Sequence, residues 1–310
     1  MKPGKAIAVA LPLLLVALAG CETFSHRPAA DPRHTAVVDG AKGCVSLRMP
    51  FTGVVLPPPQ PQKLKKLAAA SGVSPQAEQF YATFGVKFLP GREDLAEKAG
   101  VFPVLQWNPG HISLSAIAHG QYDAYLRRYA LAVRSWGCPL VMSFGHEMNG
   151  RWYPWGWHHQ PATAFVAAWR HVVTVFRSEH TSNVIWMWTP NRFVSGASRM
   201  TNPAQWWPGN AYVNWVGIDA YYGSASETFG ELLDQTLTAV RKLTGDPVIL
   251  AETGAWPGGG QAAQIGALFN GATAAELSGV IYFDLPASEP WQIASPSSLT
   301  AFRNAVRNFG

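Results

Sequence analysis

The stretch SFGHEMNGRWYPWGW, residues 143–157, sets an acid, Glu147, beside an imidazole, His146, and follows them with Trp152, Trp155 and Trp157. A second acid, Glu252, closes the apolar run in PVILAETGAW, far along the chain. Two carboxyls among indoles suit the cleavage of a glycosidic bond. One carboxyl protonates the leaving oxygen and the other attacks or supports the anomeric carbon. Flat aromatic faces suit sugar rings, whose axial hydrogens present a weakly apolar surface with a positive edge.

Other chemistries find less support. The pair His146-Glu147 begins like a zinc-protease motif, but Gly150 stands where the second histidine belongs. His158 and His159 read as loop histidines, so neither a metal nor a cofactor is expected. There is no G-x-S-x-G elbow on a strand-to-helix turn. Glu147 taken alone would be an ordinary core-edge acid; its neighbours and the matching Glu252 are what point to catalysis.

Two acids so far apart meet only if the fold brings them together. The 310 residues are 48% hydrophobic and 14% charged, enough apolar material for one large core. The net charge of +5 is scattered, with KLKK at 63–66 as its one short cluster, which argues against a nucleic-acid partner. Strand-like runs fall at 44–49, 79–84, 102–107, 140–144, 184–188, 215–221, 248–251 and 280–283. Helical spacing marks 122–135, 161–178, 228–243, 261–277 and 298–308. Eight strands alternating with helices predict one (β/α)8 TIM barrel, an α/β fold over residues 43–310. Runs such as PLVMSF and DPVILA are apolar almost throughout, as in parallel sheets buried on both faces. A doubly wound sheet would want a glycine-rich turn after the first strand, and PFTGVVLPPPQP is unsuited to that.

Barrel chemistry sits at the C-terminal ends of strands. Glu147 lies three residues past the fourth run and Glu252 directly after the seventh. Trp107 and Asn108 follow the third, Asn191 the fifth, and Asp284 the eighth; Asp219, Tyr221 and Tyr222 lie at the end of the sixth. Asp219 and Asp284 read chiefly as structural acids bonded to backbone amides, with contact to sugar hydroxyls as the alternative. Trp186 and Trp188 read as packing, as do Tyr122, Tyr125 and Tyr129 at helical spacing. Trp206 and Trp207 read equally as a platform or as loop anchors.

The segments HEMNGRWYPWG (146–156), AWRHV (168–172), NVIWMWTPN (183–191), YVNWVGIDAYY (212–222), VILAETG (248–254) and a last GVIYFD…WQI together resemble glycoside hydrolase family 26. That family comprises retaining β-glycanases on (β/α)8 barrels, best known as β-mannanases. The resemblance implies that Glu147 is the general acid/base and Glu252 the nucleophile. It also implies that His146 sits beside the acid, that Trp152 and Tyr221 line the subsite of the sugar under attack, and that Trp107, Asn108 and Trp155 contribute nearby. Many members carry His or Glu where this chain has Asn108, which leaves the sugar open. A β-mannan-type polysaccharide is expected, with mixed-linkage β-glucan or β-xylan as alternatives and a catalytically silent glycan-binding lipoprotein as the non-enzyme reading. Double displacement at such a pair expects carboxyls ~5–5.5 Å apart. Aromatic desolvation should keep Glu147 protonated, and a tyrosine such as Tyr221 should keep Glu252 ionised.

The N-terminus reads as a targeting segment. Lys2 and Lys5 precede an apolar run over 6–18, and Leu18-Ala19-Gly20-Cys21 closes it. That tetrapeptide resembles the lipobox of bacterial lipoproteins. It implies a signal peptide over 1–20, lipid on Cys21, a tether over 21–42 and an exported, membrane-anchored protein. Glu22, rather than Asp, would fit outer-membrane sorting in a Gram-negative host, and an ordinary secretory signal is the alternative. A monomer is expected, with polysaccharide as its partner. Export makes a Cys44–Cys138 disulfide chemically possible, and two buried thiols are equally compatible with the sequence.

Overall fold

Period-two alternation divides most strands of the barrel between two cores. The computed structural model describes residues 37–38, 40, 43–58, 60–196, 199–286, 291–293 and 295–309. The expected signal peptide, Cys21 and most of the expected tether lie outside the described residues. Within that tether span, β1 (Val37–Val38) pairs antiparallel with β2 (Leu47–Arg48).

Eight further strands close a parallel barrel: β3 (Phe51–Val55), β4 (Ala77–Thr83), β5 (Phe102–Asn108), β6 (Leu140–Phe144), β7 (Val184–Trp188), β8 (Trp215–Tyr221), β9 (Val248–Gly254) and β10 (Gly279–Phe283). They pair in sequence order, and β10 closes on β3. The surrounding helices are α1 (Gln60–Ser71), α2 (Gly91–Lys98), α3 (Leu114–Ala118), α4 (Asp123–Trp136), α5 (Ala162–Ser178), α6 (Phe229–Arg241), α7 (Gln261–Ala274) and α8 (Pro296–Asn308). This is the expected (β/α)8 barrel. Thr228 and Glu231 form a reciprocal capping box that starts α6, each side chain bonding the other's backbone N–H.

The inward residues of alternate positions, Phe51, Val104, Val141, Met187, Ile249 and Ile281 among them, form the inner cluster. The outward residues, such as Leu105, Met142, Trp188, Ile218 and Leu250, pack with the helices in a larger outer cluster. Gly217 is inward on β8, where an added Cβ would come within 2.8 Å of both Ala251 Cβ and Thr189 Oγ1. The barrel closes tightly there because that side chain is missing.

One expected strand is displaced. Residues 44–49 do not enter the barrel; Leu47 and Met49 instead plug its N-terminal end beside Trp215. The first barrel strand is FTGVV, whose Thr52 and Gly53 interrupt the apolar run and give it the pattern of a connection. Gly53 suits its position, since a Cβ there would meet Ala77 O at 3.0 Å and Ile281 Cγ1 at 3.1 Å. The arm is fixed by a Cys44–Cys138 disulfide, with the two Cα atoms 5.5 Å apart, which settles the alternatives left open by the sequence. Among the described residues, no helix is long and apolar enough to cross a membrane.

Candidate active site

Alternation determines which strand residues reach the mouth. On β4, Gln79 and Tyr81 point inward; on β5, Gln106 and Asn108; on β8, Asp219 and Tyr221. Strict alternation would turn Glu252 away, because Ala251 before it already belongs to the inner cluster. The register of β9 shifts here against both neighbours, with Ile218 opposite Leu250 but Asp219 opposite Glu252. The extra residue lets Ala251 and Glu252 both face the axis, as a bulge does.

Glu252 is buried, at 5% exposure, and its carboxylate is fully engaged. Tyr221 Oη donates to Oε2 at 2.7 Å, and Tyr81 Oη and Gln79 Nε2 donate to Oε1, the latter at 3.1 Å. Gln106 Nε2 in turn donates to Gln79 Oε1 at 3.2 Å, which fixes the amide's orientation.

Glu147 lies on the turn after β6, buried at 7% exposure, with φ at +55°. That left-handed backbone is uncommon for a residue with a side chain and is held from several sides. Glu147 N donates to Thr189 O at 2.7 Å, and Gly150 N donates back to Glu147 O at 2.9 Å. The side chain receives Asn191 Nδ2 on Oε1 at 2.6 Å and Trp152 Nε1 on Oε2 at 2.5 Å. Asn149 holds Asn191 through Asn149 Oδ1, which accepts from Asn191 N at 2.8 Å.

His146 joins the two acids' surroundings. Its ring lies 5.8 Å from that of Tyr81, the tyrosine bonded to Glu252. Nδ1 pairs with Asn108 Oδ1 at 2.8 Å and Nε2 with Tyr153 Oη at 3.2 Å. Burial pushes its pKa down to about 3, so the ring is neutral.

The electrostatics separate the two carboxyls. Burial raises the proton affinity of Glu147 most, and the charge of Glu252 raises it further; the bonds from Asn191 and Trp152 oppose this. Burial raises Glu252 as well, but the Tyr81 and Tyr221 hydroxyls favour its ionised form. Glu147 therefore holds a proton more readily than Glu252. Asp219, fully buried beside them, is pushed well above the usual range by burial and then by the two glutamates.

Asp219 does not bond the backbone amides expected of it: neither carboxyl oxygen has a partner among the described residues. Asp219, His146 and Glu252 place one donor atom each within 4.8 Å of one another. The His146 nitrogens and Glu252 oxygens are already committed, so only Asp219 has free oxygens to offer an ion.

The expected site residues divide clearly. Glu147, Glu252, His146, Trp152, Tyr221 and Asn108 come together at the mouth. Trp107 does not: alternation turns it outward from β5, where it is fully buried and stacked on Tyr129 at 4.3 Å and Phe84 at 5.1 Å. Trp155 is also buried; its ring stacks on Tyr153 at 4.4 Å and its N–H donates to His146 O at 2.7 Å, so it backs the histidine. Asp284 Oδ1 accepts from Ile293 N at 2.8 Å, a structural role. Trp186, Trp188 and Trp206 are buried packing. The sequence reading missed Gln79, Tyr81, Tyr153 and Trp291, whose ring lies 4.3 Å from that of Tyr221. Inward alternation along β4 would have found the first two.

Residues 123–253, which include both acids, match the model of glycosyl hydrolase family 26. Endoglucanase H of Acetivibrio thermocellus is 28% identical over 228 residues, covering 69% of this chain and 25% of that protein. Mannan endo-1,4-beta-mannosidase A and B of Caldalkalibacillus mannanilyticus is 31% identical over 84 residues, 25% of this chain and 15% of that one. The chain thus spans about a quarter or less of these curated relatives. Among solved structures, the catalytic domain of the Bacillus sp. JAMB-750 GH26 endo-beta-1,4-mannanase superposes with a TM-score of 0.66 at 16% identity, covering 84% of this chain and 86% of that one. A beta-mannanase from a symbiotic protist of the termite Reticulitermes speratus gives 0.60 at 17% identity, over 84% and 86% of the two chains. The family-model match spans the segment that carries both acids, and the solved family 26 mannanases share the barrel that brings them to one mouth, so this chain is similar to glycosyl hydrolase family 26.

Proposed function

We propose that the protein is a retaining endo-type β-glycoside hydrolase that cuts a β-mannan-type polysaccharide by double displacement. The observation that carries this is the unequal treatment of two acids at one mouth. Glu252 is held by hydroxyl donors that favour its charge, and Glu147 is buried under indole where the charge of Glu252 keeps it protonated.

In the first step, a Glu252 oxygen bonds to the anomeric carbon while the glycosidic C–O bond breaks. The leaving oxygen takes the Glu147 proton. Esterification removes the charge of Glu252, so the force that raised the proton affinity of Glu147 weakens and Glu147 becomes the base. It then takes a proton from water, whose oxygen attacks the anomeric carbon and frees Glu252. The anomeric configuration is kept.

A β-glucan substrate is the second reading, favoured by the similarity to a protein named Endoglucanase H. The silent glycan-binding alternative expects the loss of an acid, and both are present. Export and a lipid anchor on Cys21 belong to the same proposal and would keep a monomeric enzyme near its polymer. Reducing-sugar release from a panel of mannan, mixed-linkage β-glucan and xylan, with proton NMR of the first product, tests the proposal. Mannan cleavage to the β-anomer is expected. Release from glucan alone would replace the substrate, first formation of the α-anomer would overturn the mechanism, and no release would favour a binding protein.

A further inference from the structure

Behind the acid/base loop lies a cavity of about 560 Å³, within the size range of ligand sites. None of the residues at the catalytic mouth lines it. A wall separates the two: Gly150 bridges Met200, Arg151 N donates to Arg199 O at 3.1 Å, and Trp157 N donates to Gly150 O at 3.2 Å. Trp152 and Glu147 belong to the mouth, while Trp157 and Met200 line the cavity.

The lining has a definite chemistry. The partly exposed rings of Trp157 and Phe193 line it with the exposed amides of Asn202 and Gln205 and with Thr201, over a floor that includes the buried Trp206. Among the described residues, none that lines the cavity is charged. A phosphate, a carboxylate or a basic peptide would find no counter-charge in that lining. A neutral ligand with apolar ring faces and many hydroxyls would find both stacking surfaces and amide partners. The cavity shares Phe193 and Asn202 with a neighbouring one of about 420 Å³ whose lining adds Asp234 and Lys242, so the uncharged lining belongs to the larger cavity alone.

We propose that this cavity is a second carbohydrate-binding site, which takes a neutral stretch of β-linked polysaccharide outside the catalytic mouth. The proposal rests on the glycoside-hydrolase reading of the mouth for its ligand class. Thr201 also ties the cavity to the acid: Asn149 Nδ2 donates to Thr201 O at 3.0 Å and to Asn191 O at 2.9 Å, and Asn191 holds Glu147. A polymer seated here would brace the wall that carries the acid/base.

The test compares polymer with short substrate. Trp157→Ala and Gln205→Ala are each made in the wild type and in Glu252→Ala, which holds polymer uncut. Retention on insoluble β-mannan and β-glucan is measured by depletion, and hydrolysis is measured on a soluble trisaccharide. Loss of an aromatic contact of about 0.5–1.5 kcal/mol corresponds to about two- to twelvefold weaker retention and a similarly raised KM on polymer, with kcat on the trisaccharide unchanged. Trp157 Nε1 also bonds Arg199 O, so Trp157→Ala disturbs the wall as well as the cavity; if its trisaccharide kcat falls, Gln205→Ala decides alone. Unchanged retention in Gln205→Ala, with normal trisaccharide hydrolysis, would overturn the second site and leave the catalytic reading standing. Wild type that binds polymer through Trp157 and Gln205 but hydrolyses nothing would overturn the catalytic reading and keep the site. Wild type that does not bind polymer would overturn the site.

Discussion

Asn191 Nδ2 donates to Glu147 Oε1 at 2.6 Å, from a residue just beyond β7 to one just beyond β6. The contact fixes the acid at a turn whose left-handed backbone would otherwise be unfavourable. It also works against the protonation that burial imposes, so the acid is oriented by a bond that keeps its proton transferable.

The two carboxyls should therefore fail differently when removed. Glu147→Ala lowers kcat/KM on natural linkages by about 10²- to 10⁴-fold, the usual worth of general acid catalysis. It largely spares the first step on an aryl glycoside whose leaving group needs no proton, and the slow second step then appears as a burst. Glu252→Ala shows no burst and loses both substrates. Pre-steady-state release of nitrophenol measures this, and equal losses in the two variants would contradict the assigned roles.

The tyrosines set the acid limb of the pH profile. Tyr81 and Tyr221 hydroxyls stabilise ionised Glu252, so Tyr221→Phe raises its proton affinity. A charge-assisted bond of about 1.5 kcal/mol corresponds to about one pH unit. The acid limb of kcat/KM should move up by about that amount, while the alkaline limb, set by Glu147, stays near its place. A pH series on a soluble oligosaccharide checks the direction.

The fold was legible where the pattern was simple. Strands β5 to β8 read directly because their runs are mostly apolar, interrupted only at single positions such as Gln106, Ser143 and Asp219. FTGVV did not, because Gly53 is required by close neighbours that the local sequence does not reveal. The acids were legible through their setting, HEMNG and ILAETG. Trp107 misled because proximity to a strand end does not tell inward from outward; counting alternation from Gln106 does. Tyr81 was hidden within an otherwise ordinary strand, and the bulge that turns Glu252 inward has no local signature in LAETG.

Gly217 should be intolerant of even one methyl. A Cβ added on its inward face would lie 2.8 Å from Ala251 Cβ and from Thr189 Oγ1, and 3.0 Å from Met187 Sδ. These atoms belong to the chain on both sides of β8, so the barrel must widen to admit Gly217→Ala. Overpacking of this kind destabilises by about 1–3 kcal/mol. A lowered denaturation midpoint with an unchanged urea slope is expected.

Glu78 provides a pH-dependent stability effect outside the mouth. It faces the helix layer from β4, is 2% exposed, and Oε1 has no partner among the described residues. Burial raises its pKa to about 7, with Arg92 opposing. The folded state thus binds a proton that the unfolded chain has released above about pH 4.3. Stability consequently falls as pH rises from that value towards about 7, and levels off above it. Glu78→Gln removes this effect while keeping the shape of the neutral acid. Relative to wild type, the variant should be little changed at pH 4 and more stable at pH 8 by up to about 3 kcal/mol. Urea denaturation at the two pH values measures the difference, and an equal effect at both would show that the side chain is ionised in the fold.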